Sequence, residues 1–129
     1  MEKSVAILDA DEKQCSKLCS RLKERQFLAA PIHTLHDLKK HLKSSRCSTV
    51  IIDIDTVPID NYSFKNLTSE NPAVYFFCMS KEHFHPELQE IIGRCIYACL
   101  SKPLDLGELF YWLEVVCHNQ NGSDGKSQA

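Results

Sequence analysis

Val50-Ile51-Ile52-Asp53 places three β-branched apolar residues in a row and stops on a carboxylate. The run is too short for a helix and lacks polar alternation, so it reads as a strand buried on both faces. Val5-Ala6-Ile7-Leu8, ending on Asp9, repeats the pattern near the N-terminus. Between the two runs the spacing turns helical. Asp11 with Gln14 three residues on makes a capping-box start, and Cys15, Leu18, Cys19 and Leu22 then fall on one face. Phe27-Leu28-Ala29-Ala30 is a weaker second strand closed by Pro31. Thr34 with Leu35, Leu38 and Leu42 begins a second helix, whose other side carries Lys39, Lys40 and Lys43.

The same alternation continues downstream of Asp53. Thr56-Val57-Pro58 and Asp60-Asn61 supply loop chemistry before a short helix around Ser63 to Leu67. Ala73-Val74-Tyr75-Phe76-Phe77-Cys78 reads as a fourth strand stopping at Ser80, and Phe84, Leu88, Ile91, Ile92 and Cys95 line a fourth helix. Ile96-Tyr97-Ala98-Cys99-Leu100 is a fifth strand. Asp105 and Glu108 then cap a last helix bearing Leu106, Leu109, Phe110, Leu113, Val116 and Cys117. Alternating buried strands and amphipathic helices require a parallel sheet with right-handed crossovers. Five such units favour an open, doubly wound five-stranded parallel α/β sheet with helices on both faces over an eight-fold barrel. Residues 1–118 are expected to form this one domain, and 119–129 a polar tail or a linker to an output domain.

Composition agrees with a single globular domain. The chain has 129 residues, 43% hydrophobic and 25% charged, which excludes a collagen-like or intrinsically disordered class. Fifteen Lys and Arg against 17 Asp and Glu give a formal net charge of -2, so no direct nucleic acid contact and no membrane contact by this domain is expected. Seven cysteines with no C-x-x-C pair point to free thiols and a reducing, cytoplasmic setting. The N-x-S/T triplets at Asn61, Asn66 and Asn121 are then chance matches.

In an open parallel sheet, chemistry sits beyond the carboxyl ends of the strands. Those ends carry Asp9, Asp53, Ser80 and Ser101-Lys102-Pro103. Carboxylates from adjacent strand ends can hold a divalent cation, a hydroxyl can receive a phosphoryl oxygen, and an ammonium can offset developing charge.

At these residues the chain resembles the receiver domain of two-component response regulators, a CheY-like, flavodoxin-like (βα)5 fold, from about Val5 to Cys117. Leu100-Ser101-Lys102-Pro103-Leu104-Asp105 matches the family's apolar-Thr/Ser-Lys-Pro motif, whose Lys-Pro peptide is commonly cis. Val50-Ile51-Ile52-Asp53 resembles the phosphoacceptor strand, and Asp60-Asn61 stands where the family places Asp-Gly. The resemblance implies Asp53 as phosphoacceptor, Ser80 as switch hydroxyl, Lys102 as the charge partner of the phosphoryl group, and Asp9 and Asp53 at a Mg²⁺ site. It implies a histidine kinase or phosphotransfer protein upstream, and an output domain or downstream protein after it. A homodimer through the fourth and fifth helices is a further expectation. The chain is read as a signalling receiver and not an enzyme, at most catalysing its own phosphorylation and dephosphorylation. The alternative is a phosphorylation-independent pseudo-receiver that acts as an interaction module.

The sequence also departs from the family. Ala10 replaces the second acid after the first strand, the position that commonly ligates magnesium directly. Asp11, as a helix cap, should face backbone amides instead. Asp55, two residues after Asp53, is expected to return the missing charge to the metal site. Cys99 stands three residues before Lys102, where a Tyr or Phe usually reports the switch. His83 and His85 lack a third metal ligand and read as loop histidines, and the thiol pairs Cys15/Cys19 and Cys95/Cys99 read as buried and apolar. No glycine-rich phosphate loop supports a flavodoxin-like cofactor binder. On the last helix Tyr111, Trp112 and Val115 form a second apolar stripe, expected at a dimer or partner interface.

Overall fold

The computed structural model describes residues 4–81 and 96–122. The elements run β1 (Ser4–Leu8), α1 (Glu12–Glu24), β2 (Leu28–Ile32), α2 (Leu35–Ser44), β3 (Thr49–Asp53), α3 (Asn61–Glu70), β4 (Tyr75–Ser80), β5 (Ala98–Ser101) and α4 (Leu106–Gly122). The helical pattern through Phe84, Leu88, Ile91, Ile92 and Cys95, and His83 and His85 with it, lies outside the described residues. Described helix α4 is therefore the last helix of the sequence pattern. It extends to Gly122, so the expected tail begins with helical backbone.

The five strands are all parallel in the order β2-β1-β3-β4-β5. This is the doubly wound α/β sheet that the alternating sequence implies, and strand order reverses at β1, beside β3. Side chains alternate across the sheet. Ala6, Leu8, Val50, Ile52, Phe76 and Cys78 meet Leu38 of α2 and Phe64 and Leu67 of α3. Val5, Ile7, Ile51, Phe77 and Met79 meet Leu18 and Leu22 of α1 and Leu109 and Leu113 of α4 on the other face. Ile51 is wholly buried, and emptying such a position to alanine costs about 2–5 kcal/mol.

Local chemistry sets the element ends. Asp11 accepts the Gln14 amide at 3.1 Å, Thr34 accepts the Asp37 amide at 3.1 Å, and Asp60 accepts the Ser63 amide at 2.8 Å. Beyond α1, Gln26 takes a left-handed φ of 71°, and the Phe27 amide reaches back to the Leu22 carbonyl at 3.0 Å. Three strand boundaries shift from the sequence reading. β2 does not close at Pro31 but continues to Ile32, because it is an edge strand where proline's missing N–H costs least. Ala73 and Val74 fall in a turn, with the Val74 amide on the Asn71 carbonyl, so β4 starts at Tyr75. β5 begins at Ala98, with Ile96 and Tyr97 leading into it.

Candidate functional site

The carboxyl ends of β1, β3 and β4 and the segment after β5 bring four predicted residues together. Asp9 and Asp53 are wholly buried, and Ser80 is buried at the end of β4. Lys102 spans from the β5 end to β3, placing Nζ 2.8 Å from Asp53 Oδ2. The Lys102 backbone amide also donates to the Ser80 carbonyl at 3.0 Å, and the Lys102–Pro103 peptide is cis.

Asp55 completes this ion pair. Its Oδ2 accepts Lys102 Nζ at 3.2 Å and the Lys81 amide at 2.9 Å, while Oδ1 accepts the Ser80 hydroxyl at 3.1 Å. Burial alone would raise the Asp55 pKa, but the Lys81 amide, Lys102 and Ser80 overcome it and hold the carboxyl below its ordinary value. Burial opposes charge on Lys102 too, and bonding to Asp53 and Asp55 carries its pKa above the ordinary value. Asp53 Oδ1 accepts the Asp55 amide at 3.0 Å, which fixes the carboxylate plane at the loop entrance.

Two residues that sequence reasoning did not place in the site stand in it. Gln14 Nε2 donates to Asp9 Oδ2 at 2.6 Å and also to Asp53 Oδ2. Thr56 Oγ1 donates to Asp9 Oδ1 at 3.0 Å and accepts the Ala10 amide at 3.1 Å. The capping-box spacing accounts for the Gln14 backbone and says nothing of where its carboxamide goes. Asp11 behaves as expected, its carboxylate occupied as the α1 cap.

The expected grouping of Asp9, Asp53 and Asp55 about Mg²⁺ is not the arrangement observed. Asp9 and Asp53 converge on the Gln14 amide, whereas Asp55 is drawn off toward Ser80 and Lys102. Among the described residues, no cluster of three His, Cys, Asp or Glu side chains is placed to hold a metal ion. As arranged, these residues do not fit a divalent cation.

The remaining predicted residues lie away from this pocket. On α4, Tyr111 is 61% exposed, while Trp112 and Val115 are half-buried. Trp112 packs edge-on against Tyr97 at 5.8 Å and Tyr111 at 5.2 Å between ring centroids. Cys15 and Cys19 are buried as expected, but Cys99 is exposed, because β5 is an edge strand of the described sheet. No helix among the described residues is long and apolar enough to cross a membrane.

No family model matches the sequence. No curated protein matches it either. Solved structures do match by shape. The signal receiver domain of an HD domain-containing protein from Pseudomonas fluorescens is 18% identical, with a TM-score of 0.83 over 95% of this chain and 99% of that one. A CheY-like receiver domain protein from Methanospirillum hungatei is 11% identical, with a TM-score of 0.81 over 94% and 98%. A two-component response regulator from Clostridium difficile is 17% identical, with a TM-score of 0.80 over 92% and 98%. The chain has the flavodoxin-like fold of response regulator receiver domains.

Proposed function

We propose that the chain is the receiver domain of a cytoplasmic two-component response regulator, taking a phosphoryl group onto Asp53 from a histidine kinase or phosphotransfer protein. The observation that carries this reading is the 2.8 Å contact of Lys102 Nζ with Asp53 Oδ2, made where Ser80 and Asp55 share the same ammonium's surroundings. An Asp53 oxygen attacks the phosphorus of a phosphohistidine, the new O–P bond forms as the P–N bond breaks, and the imidazole leaves. Lys102 offsets charge on the transferring oxygens. Ser80 then exchanges its Asp55 acceptor for a phosphoryl oxygen, which loosens the β4 end and passes the change to an output domain or partner. The chain acts as a signalling module, its only chemistry being its own phosphorylation and dephosphorylation.

One observation favours a second reading. Gln14 ties Asp9 to Asp53 in the pocket, and Ala10 offers no carboxylate there, as a phosphorylation-independent interaction module would have it. Incubation with Mg²⁺ and acetyl phosphate, followed by intact-mass measurement, separates the two. One added phosphate that disappears in Asp53→Asn supports phosphotransfer. An unchanged mass with acetyl phosphate and with a phosphorylated histidine-kinase domain supports the interaction module.

A further inference from the structure

The sheet register sets Cys78 of β4 opposite Cys99 of β5, and their sulfurs lie 3.7 Å apart. Both thiols are free, Cys78 buried and Cys99 exposed. Hydrogen-bonded neighbouring strands run about 4.8 Å apart, inside the roughly 4.4–6.8 Å between Cα atoms that a disulfide spans.

Their environments divide the chemistry. The two sulfurs are hydrogen-bonded, and that bond favours the thiolate of the exposed Cys99 and brings its pKa down to about 7. That same hydrogen bond, together with burial, pushes the Cys78 thiol up. The exposed Cys99 sulfur is thus the accessible nucleophile, with the protected Cys78 thiol beside it. The other close thiols differ: Cys15 and Cys19 are both buried, and burial with the charges of Cys19 and Asp9 pushes Cys15 up to about 12.

We propose that Cys78 and Cys99 are an oxidative modification site, a dithiol that hydroperoxides convert to a disulfide between β4 and β5. The Cys99 thiolate attacks one peroxide oxygen; an S–O bond forms, the O–O bond breaks, and the departing oxyanion takes a proton to leave as water or an alcohol. Cys99 is then a sulfenic acid. The Cys78 sulfur attacks it, the S–S bond forms, the S–O bond breaks, and hydroxide leaves as water with the Cys78 proton. Two electrons pass from the dithiol to the peroxide. Cys78 lies two residues before Ser80 and Cys99 three before Lys102, so the crosslink joins the two strands that deliver these residues to the pocket. The site stands whether or not Asp53 is phosphorylated.

The reduced full chain is treated with a small excess of hydrogen peroxide and mapped by mass spectrometry without reductant. The expected result is loss of two hydrogens, one peptide pair linking Cys78 to Cys99, and reversal by dithiothreitol. In Cys78→Ala, which keeps the buried position apolar, Cys99 should persist as a sulfenic acid trapped by dimedone. In Cys99→Ser both crosslink and trapping should be lost. A crosslink joining other cysteines, Cys95 included, would overturn the assignment. Over-oxidation of Cys99 beside an unreacted Cys78 would overturn it equally.

Discussion

Gln14 Nε2 stands 2.6 Å from Asp9 Oδ2 and donates to Asp53 as well, so a neutral amide links two wholly buried carboxylates. Buried carboxylates in one pocket repel, and each needs donors where water is excluded. Lys102 supplies one cationic donor, while Thr56 and the backbone amides of Asp11 and Asp55 supply neutral ones. Gln14 is the side chain that donates to both carboxylates, one at the β1 end and one at the β3 end.

Replacing Gln14 should therefore change what the pocket binds. A hydrogen bond to a charged group contributes about 1.5–3 kcal/mol, so Gln14→Ala is expected to lower unfolding stability by about that much. The same change removes the competitor for Asp9 and Asp53, and Mg²⁺ affinity should rise by about tenfold or more. Isothermal titration of wild type and variant with Mg²⁺ checks it, and equal affinities would show that the amide does not govern the site.

Lys102→Ala leaves Asp53 buried without its ammonium. Breaking a buried pair costs about 3–5 kcal/mol, and with Lys102 partly solvent-accessible the lower end is expected. A domain of ordinary stability survives that loss. The variant should keep its far-ultraviolet circular dichroism, melt at lower temperature, and lose coupling between the pocket and Ser80. Its spectroscopic response to beryllofluoride is the readout, and a response equal to wild type would remove Lys102 from the phosphoryl site.

Much of this site was legible in the sequence because strand ends are marked by a change in chemistry. Val50-Ile51-Ile52 is apolar until Asp53, and the Leu100-Ser101-Lys102-Pro103 segment announces its lysine in the same way. Gln14 was not legible, since the spacing from Asp11 already explained it as part of a helix start. Asp55 was legible as a loop acid near the pocket, but the choice between a cation and Lys102 depends on where a side chain from the segment after β5 arrives. The Cys78–Cys99 contact depends on the β4–β5 register, which no local pattern encodes. The continuation of β2 through Pro31 depends likewise on β2 lying at a sheet edge.

The ion pair also sets a pH window. Asp55 has its folded pKa below the unfolded value of 3.8, so its contribution is fully present above that value and is lost as pH falls through the folded pKa. Lys102 has its folded pKa above 10.5, so its contribution is present below that value and is lost as pH rises through the folded pKa. Asp55→Asn should consequently flatten the acid limb of a melting-temperature profile and leave Lys102 less perturbed at the alkaline end. Melts from strongly acidic to strongly alkaline pH test this, and an acid limb unchanged by Asp55→Asn would place the stabilising carboxylate elsewhere.

On α4 the stripe of Tyr111, Trp112 and Val115 bears on assembly. Leu109, Phe110, Leu113 and Val116 bury the helix against the sheet and Trp112 packs partly against the same cluster, which leaves Tyr111 as the exposed member of the second stripe. Tyr97 at 39% exposure and Tyr111 at 61% flank the half-buried Trp112, forming a continuous aromatic ridge across the β5 approach and α4. Exposed aromatic patches of this kind suit protein contacts, where rings supply large area at small entropic cost. A second copy of the chain is the expected occupant. Trp112 is the only tryptophan, so its fluorescence reads this face directly. Acrylamide quenching should diminish as the protein is concentrated, and Tyr111→Ser should abolish that concentration dependence. Trp112 inaccessible to quencher in a demonstrably monomeric sample would make it a core residue and end the interface proposal.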